Sequence, residues 1–508
     1  MSGREAILAI DAGTSGTRAA VVTANGQVSC LHHLPLPIHS PQPGVVEQDA
    51  ALIWQHTLAV CRATLQQARQ KRLQVRAVGL CNQRASAVLW DTVSGQPLAP
   101  ALVWQDSRHA AQLAKLAVHW ERRLRPRLGR PLGPRSPYLW AAHLLRSNPA
   151  VAQAWRQRRL GFGSIDTWLL WQLSAGRLLA TSATNATACN AYCLDEHAYA
   201  LDWLQALDFP LELLPPLYQD ADDYGMSEAS VLGAALPIRA CAGDQLAGAI
   251  GLGCLAAGQA LCVHGTGSFI NLLVGTRAPL AAGISEQSGS VVVTARRQQG
   301  VSHFALESFC ATTGAVLTWA CQRQRWFPHA RALLSLAASV PHAGGVSFVP
   351  ALAGIQAPQR HSGARAALQG LSLASSRAEI AHALVEGIAQ AVAACVHANA
   401  EVAGLPVTQL MSGGGLSASD LLLQLQADLT GVPTYRTHQA AHASLRGIAY
   451  LAGSQGLLWD DLPQACARTR LRAVFEPRLD AAARTARRAP WQARVAAELA
   501  YAGRDTAH

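Results

Sequence analysis

The stretch AILAIDAGTSGTRAAVVTANGQV, residues 6–28, sets two apolar runs around a turn of glycine, threonine and serine. Apolar runs flanking such a turn predict strands, and Asn25-Gly26 marks a hairpin into a third. The design recurs in GQALCVHGTGSFINLLVG, residues 258–275, where Gly265-Thr266-Gly267 parts two apolar runs. A strand–glycine turn–strand unit opening each half of the chain predicts two related α/β domains, 1–245 and 246–508. At 508 residues the chain is too long for one ordinary core, which points the same way.

Between these units the pattern alternates. Residues 49–70 read as a helix with Asp49 as N-cap, followed by a buried strand VRAVGLCN (75–82) and a hairpin over 86–104. IRACAGDQLAGAIGLG carries a strand, then Asp244, then a Gly/Ala-rich helical segment. Residues 377–404 are helical, and QLMSGGGLSASD supplies a third strand with a glycine turn.

Several function classes fall away. The N-terminus lacks a basic region followed by a long apolar run, and no run of eighteen apolar residues is free of charge or turn signals, so neither signal peptide nor membrane span is expected. The twelve cysteines contain no C-x-x-C pair, which argues against a zinc site or disulfide framework and for buried thiols in a reducing cytoplasm. The net charge of +11 comes mostly from arginine clusters at 121–135, 468–478 and 483–494. They lack aromatic interleaving or a DNA-reading motif, so a solvated basic face is expected and no nucleic-acid partner.

Glycine turns bring backbone N–H groups against a ligand, and threonine and serine hydroxyls add donors. A carboxylate beside such a turn can orient the water shell of Mg²⁺, which binds through one or two carboxylates together with substrate phosphates. Asp11 with the 13–17 turn has that composition, although it is no Walker loop, since it joins two strands and lacks G-x-x-x-x-G-K-[ST]. A purely structural hairpin turn has the same look. Three such turns with Asp11 and Asp244 in attendance favour phosphoryl transfer, which needs phosphate cradles, a metal carboxylate and a base facing the attacking hydroxyl.

The stretches DAGTSGTR, PGVVEQDAALIW, VGLCNQR, ALVWQDSR, SIDTWLLWQLSAGRLLATSATNAT, AGDQLAGAIGLGC, HGTGSFINLLVG, FVPALAGIQAP and SGGGLSASDLLLQLQADLTGVP occur in that order. In order and spacing the chain resembles the FGGY carbohydrate kinases, and within them the glycerol kinase branch. The resemblance implies two actin-like ATPase (ribonuclease-H-like) domains around a cleft, with ATP and Mg²⁺ as cofactors. It implies a polyol or sugar acceptor, a cytoplasmic enzyme and a homodimer as a family-level expectation. By position, Asp11 and Asp244 fall to the metal, and Asp244 to the base that takes the hydroxyl proton. Thr14, Ser15, Arg18, Thr266, Gly267, Gly314, Gly415 and Ser419 fall to the nucleotide. Arg84, Trp104, Gln245 and Phe269 join Asp244 on the acceptor.

Some positions depart from that pattern. Ala85 stands where the branch has a glutamate, Arg135 where it has a tyrosine (with Tyr138 a nearby substitute), and Trp140 where it has a lysine. Arg360-His361 replaces a Trp-Asp pair and Arg446 a glycine; these three read as surface drift. A lost carboxylate and a gained cation favour a different polyol, a sugar or an anionic acceptor. His264, beside the second turn, reads as a satisfied polar histidine.

Overall fold

The computed structural model describes residues 4–280 and 289–505. Two large mixed sheets dominate it, and their strands are numbered here in chain order. The first holds β1 (Glu5–Ala12), β2 (Gly16–Thr23), β3 (Val28–Pro35), β4 (Gln74–Asn82) and β5 (Ile238–Gly243). The second holds β6 (Gln259–His264), β7 (Ser268–Gly275), β8 (Val291–Gln298), β9 (Val301–Cys310), β10 (Gln409–Gly414), β11 (Thr434–Thr437) and β12 (Leu471–Phe475).

The strand order is β5-β4-β1-β2-β3 in the first sheet and β8-β9-β7-β6-β10-β11-β12 in the second. In each, the opening hairpin and the strand beyond it are antiparallel, while the next two strands on the other side run parallel to the first. The repeat seen in sequence is thus a repeat of topology, with β8 and β12 added at the edges of the second copy. The central strands are mostly buried, as expected where a sheet is covered on both faces, while β3 and β12 at the edges are largely open.

Helices supply the cover. Helix α1 (Ala50–Gln70) starts at Asp49, whose carboxylate accepts from Ala51 and Leu52 N–H, and packs Ile53, Val60 and Leu65 under the first sheet. Helix α2 (Asp244–Gly251) follows β5 directly. Helix α3 (Gly314–Thr318) is short. Helix α4 (Arg377–Ala403) opens with a Ser376–Glu379 capping box. By length and composition α4 alone among the described helices is apolar enough to cross a membrane, but 78% of that window is buried inside the protein. Helix α5 (Asp420–Thr430) packs against it, and helix α6 (Ala443–Gly453) completes the set used below.

Helix α6 departs from the simple halving of the chain. It lies on the first sheet, where Leu445, Ile448 and Tyr450 join Ile7, Ala9 and Ala242 in one core. Trp459 follows it there and donates to the Ala24 carbonyl at 3.0 Å. Helices α2 and α6 touch backbone to backbone. A Cβ on Gly447 would sit 1.7 Å from the Ala247 carbonyl oxygen, so only glycine permits the crossing.

Arg446, on α6, is a correction to its reading as surface drift. It is 2% exposed. Its guanidinium donates to the carbonyls of Gly251 and His438, each at 3.0 Å, and to Thr437 Oγ1 at 3.3 Å. It therefore ties the carboxyl end of α2 to the second sheet. All twelve cysteines are free thiols, and every one except Cys321 is buried.

Candidate active site

Parallel strands deliver their carboxyl ends to one edge of a sheet, where ligands gather in open α/β folds. In the first sheet the register sets Asp11 beside Cys81, Ala12 beside Asn82, and Asn82 beside Gly243. Asp11, the Asn82–Arg84 turn and Asp244 therefore emerge side by side.

Asp11 is 3% exposed. Its Oδ2 accepts from Arg18, its partner across the hairpin, and from Ser444 Oγ at 2.7 Å. Oδ1, which lies near Gly13, accepts no hydrogen bond from a described residue. Arg18 also donates to the Ala441 carbonyl at 3.1 Å. The first turn is thus held from the C-terminal half of the chain.

Asp244 opens α2, and Oδ1 accepts from the Gln245 N–H at 2.7 Å. Arg84 Nε stands 4.0 Å from the same oxygen. Burial pushes the Asp244 carboxyl up to about 7; Arg84 opposes the rise and Asp11 adds to it. A quarter of the side chain still reaches solvent, which tempers the shift. Gln245 Oε1 beside it is buried without a hydrogen-bond partner among the described residues.

Glu307, on β9, was missed in the sequence. It accepts from Arg84 Nη2 at 2.6 Å across the two halves, with both side chains 8% exposed. Nothing local announces it, because it meets Arg84 from 223 residues away.

A closed circuit of hydrogen bonds links the first turn to the Arg84 segment. Gln48 donates to the Thr14 carbonyl at 2.6 Å and accepts from Gln83 at 2.8 Å. Ser86 donates to Gln83 at 3.0 Å and accepts from the Trp104 N–H at 3.1 Å. Trp104 Nε1 closes the ring on Thr14 Oγ1 at 2.9 Å. The Trp104 indole also meets Phe269 and Phe309 edge-on, with centroids 6.2 and 6.3 Å away, so it is an inter-half wall rather than inner core. Phe269 stacks on Phe309 at 4.4 Å.

The second turn faces this wall. Gly265 and Thr266 are exposed at the tip, and Gly267 and Ser15 also reach solvent. Thr266 O accepts from Thr313 and Ala315 N–H at 3.0 and 2.9 Å, clamping the turn to the start of α3. Gly314 is required there, since a Cβ would stand 2.4 Å from the Gly265 carbonyl oxygen. Gly415 opens a short 3₁₀ turn after β10, at the corresponding edge of the second sheet. Ser419 is mostly buried and its hydroxyl caps α5, accepting from Leu422 N–H at 3.3 Å.

His264 is buried between Ser268, at 2.8 Å, and the Gln426 amide, at 2.9 Å. Burial pushes its pKa down to about 4, so it stays neutral and serves the strand pairing. Tyr138 does not substitute at position 135: its ring is buried against Phe162 and Phe209.

The N-terminal domain of the FGGY family of carbohydrate kinases matches residues 6–251, and the C-terminal domain of the same family matches residues 260–455. The chain belongs to the FGGY carbohydrate kinase family. This kinase is 35% identical to the glycerol kinase of Ralstonia nicotianae, over 97% of this chain and 98% of that protein. It is also 35% identical to that of Thermus brockianus, over 96% and 97%. The crystal structure of Plasmodium falciparum glycerol kinase with ADP superposes with a TM-score of 0.90 at 23% identity, covering 98% of each chain. The kinase therefore has the two-domain actin-like ATPase fold and is an ATP-dependent phosphotransferase with an alcohol acceptor.

Proposed function

We propose that this kinase moves the γ-phosphoryl group of ATP to a hydroxyl of a small polyol held between Arg84, Trp104, Gln245 and Phe269. Glycerol is the acceptor named for its relatives. The observation that carries the reading is the placement of Asp244. Its carboxylate stands at the end of β5, next to Arg84, on the sheet edge that also bears Asp11 and the first glycine turn.

In the step itself the acceptor oxygen forms a bond to the γ-phosphorus while the bond to the β-bridging oxygen breaks and ADP leaves. The hydroxyl proton passes to Asp244. A base whose pKa lies near the working pH is well matched to that task. Thr14, Ser15 and Arg18 on one side and Thr266, Gly267 and Gly314 on the other cradle the phosphates, and Gly415 and Ser419 border the nucleotide. Asp11 Oδ1 and Asp244 fit a hydrated Mg²⁺: both oxygen sets are hard, and no group of three or more His, Cys, Asp or Glu among the described residues forms a cage without phosphates. Such an ion would supply charge neutralisation on the transferring group. Closure of the two halves would exclude water that competes for the phosphoryl group. The free, buried thiols support a reducing cytoplasm.

The test is acceptor-dependent ADP release by the purified protein with MgATP, in wild type and Asp244→Asn. Removing a general base costs about 10²–10⁴-fold in turnover, with nucleotide affinity retained. Wild-type turnover in the Asn variant would sink the assignment.

A further inference from the structure

Buried arginines in this protein normally have acceptors. Arg446 has three, as described above. Arg436 donates through Nη1 to the Ser417 carbonyl at 3.1 Å and to Asp420 at 2.7 Å, although its Nε is buried without a partner among the described residues. Two arginines beside the acceptor wall break the pattern. Arg130 is 8% exposed, yet its one hydrogen bond among the described residues runs from Nη1 to the Ala188 carbonyl at 3.2 Å, and its Nε is buried without a partner. Arg135, half-buried, has no side-chain hydrogen bond or ion pair to any described residue, and its Nε is buried and unpartnered too. Arg84 Nη1 is a third orphan.

Arg130 holds the Ala188 carbonyl and Asn190 holds the Arg135 carbonyl, so both arginines are tied to the 188–190 loop. Arg130 lies within electrostatic range of Glu307 and Arg84, and Arg135 within range of Arg130, Arg84 and Glu307. Cys189 marks where they meet. It follows Ala188, whose carbonyl Arg130 holds; it feels both Arg130 and Arg135; and its sulfur faces the Ala85 N–H. Ala85 is buried at φ 57, a left-handed conformation costly for a residue with a Cβ, and its methyl brings no charge to the cluster. The loop carrying the two arginines is fixed, because Asn190 Nδ2 donates to the carbonyls of Leu132 and Arg135 at 2.5 and 3.2 Å.

Glu307 acts on all three guanidiniums and Asp244 on Arg84, while Asp166 acts on Cys189. Glu307 is committed to Arg84. Burial, helped by Arg130 and Arg84, pushes Arg135 down to about 10, with Glu307 opposing the fall. Unpaired buried charge is costly, and a planar guanidinium pair suits a two-oxygen anion.

We propose that Arg130 and Arg135 form an oxyanion subsite in the acceptor pocket, so that the preferred acceptor is a small polyol with an anionic end. A polyhydroxy carboxylic acid and a polyol phosphate ester share that chemistry. The proposal rests on the kinase reading for the fate of the hydroxyl, but the subsite itself is read by binding alone.

The experiment is calorimetric titration of the full-length protein, saturated with MgADP, with glycerol, D-glycerate, L-glycerate, gluconate and glycerol 3-phosphate, alongside ADP release from MgATP on the same set. At least one anionic polyol should bind more tightly than glycerol by 10-fold or more. Arg130→Gln and Arg135→Gln should each weaken that binding about 10- to 100-fold while leaving MgADP affinity in place, and Arg135→Lys should recover part of it. Binding of the acids assigns a carboxylate; glycerol 3-phosphate is also the product of transfer to glycerol, so its binding assigns a phosphate to the subsite only where Arg130→Gln and Arg135→Gln weaken it, and binding that they leave unchanged is the product complex and counts against the subsite. Tight binding of glycerol with no anion bound, or unchanged anion affinity in both Gln variants, overturns the subsite and leaves the kinase reading standing. Anion binding that the variants abolish, with no ADP release on any acceptor, keeps the subsite and overturns the transfer reading.

Discussion

Asp244 is set by opposing influences: burial lifts its pKa to about 7, Arg84 pulls it down, and Asp11 pushes it further up. A base must be unprotonated to accept the hydroxyl proton, so kcat/KM for the acceptor should rise with pH along a limb centred near 7 and fall in acid. Arg84→Gln removes the one large stabilising charge, so the limb should move to higher pH as well as lose height. A pH–rate profile of both proteins checks this, and a limb that stays in place would show that Arg84 does not govern the titration. The shift could not be read in the sequence, because it arises from chain segments that are distant until folded. The same holds for Glu307 and Ser444, which reach Arg84 and Asp11 across 223 and 433 residues. Asp11, Thr266 and Asp244 were legible, because a glycine turn or helix start beside a strand is a local pattern.

At the scale of elements, α2 and α6 form the joint on which Asp244 rides. Their glycine-to-backbone crossing leaves no room for a methyl, so Gly447→Ala must push the helices apart. We expect a loss of about 2–3 kcal/mol in stability, read from the denaturant midpoint. Turnover should fall too, because the displaced Ala247 lies within one helical turn of Asp244. Arg446→Met probes the same joint differently: it keeps bulk but abandons the Gly251, His438 and Thr437 acceptors. Its expected cost is about 3 kcal/mol. Sequence periodicity placed α1 and α4 correctly because amphipathic spacing and caps are local. It misread Arg446, since a charge in a helical stretch looks solvated until the acceptors of another element close around it.

On the scale of the whole molecule, the candidate site lies where the two halves meet. The Arg84–Glu307 pair, the Trp104 contact with Phe269 and Phe309, and the Ser444 bond to Asp11 all join residues from different halves. The strand–glycine repeat foretold two copies of one topology, but not that α6 would return to the first sheet and lock the copies together. Ligands that bridge the halves should therefore stabilise them jointly. A ligand at 100 times its dissociation constant adds about 2.7 kcal/mol to the state that binds it. With MgADP and an acceptor both present, differential scanning calorimetry should show a single transition at higher temperature than with either alone. Glu307→Gln weakens the charge pair across the cleft while leaving the hydrophobic cores of both sheets untouched. In that variant the joint gain should shrink towards the larger of the two single-ligand shifts, because each ligand then stabilises its own half. An undiminished joint gain in the variant would mean that the α2–α6 joint, and not the cleft pair, couples the two halves.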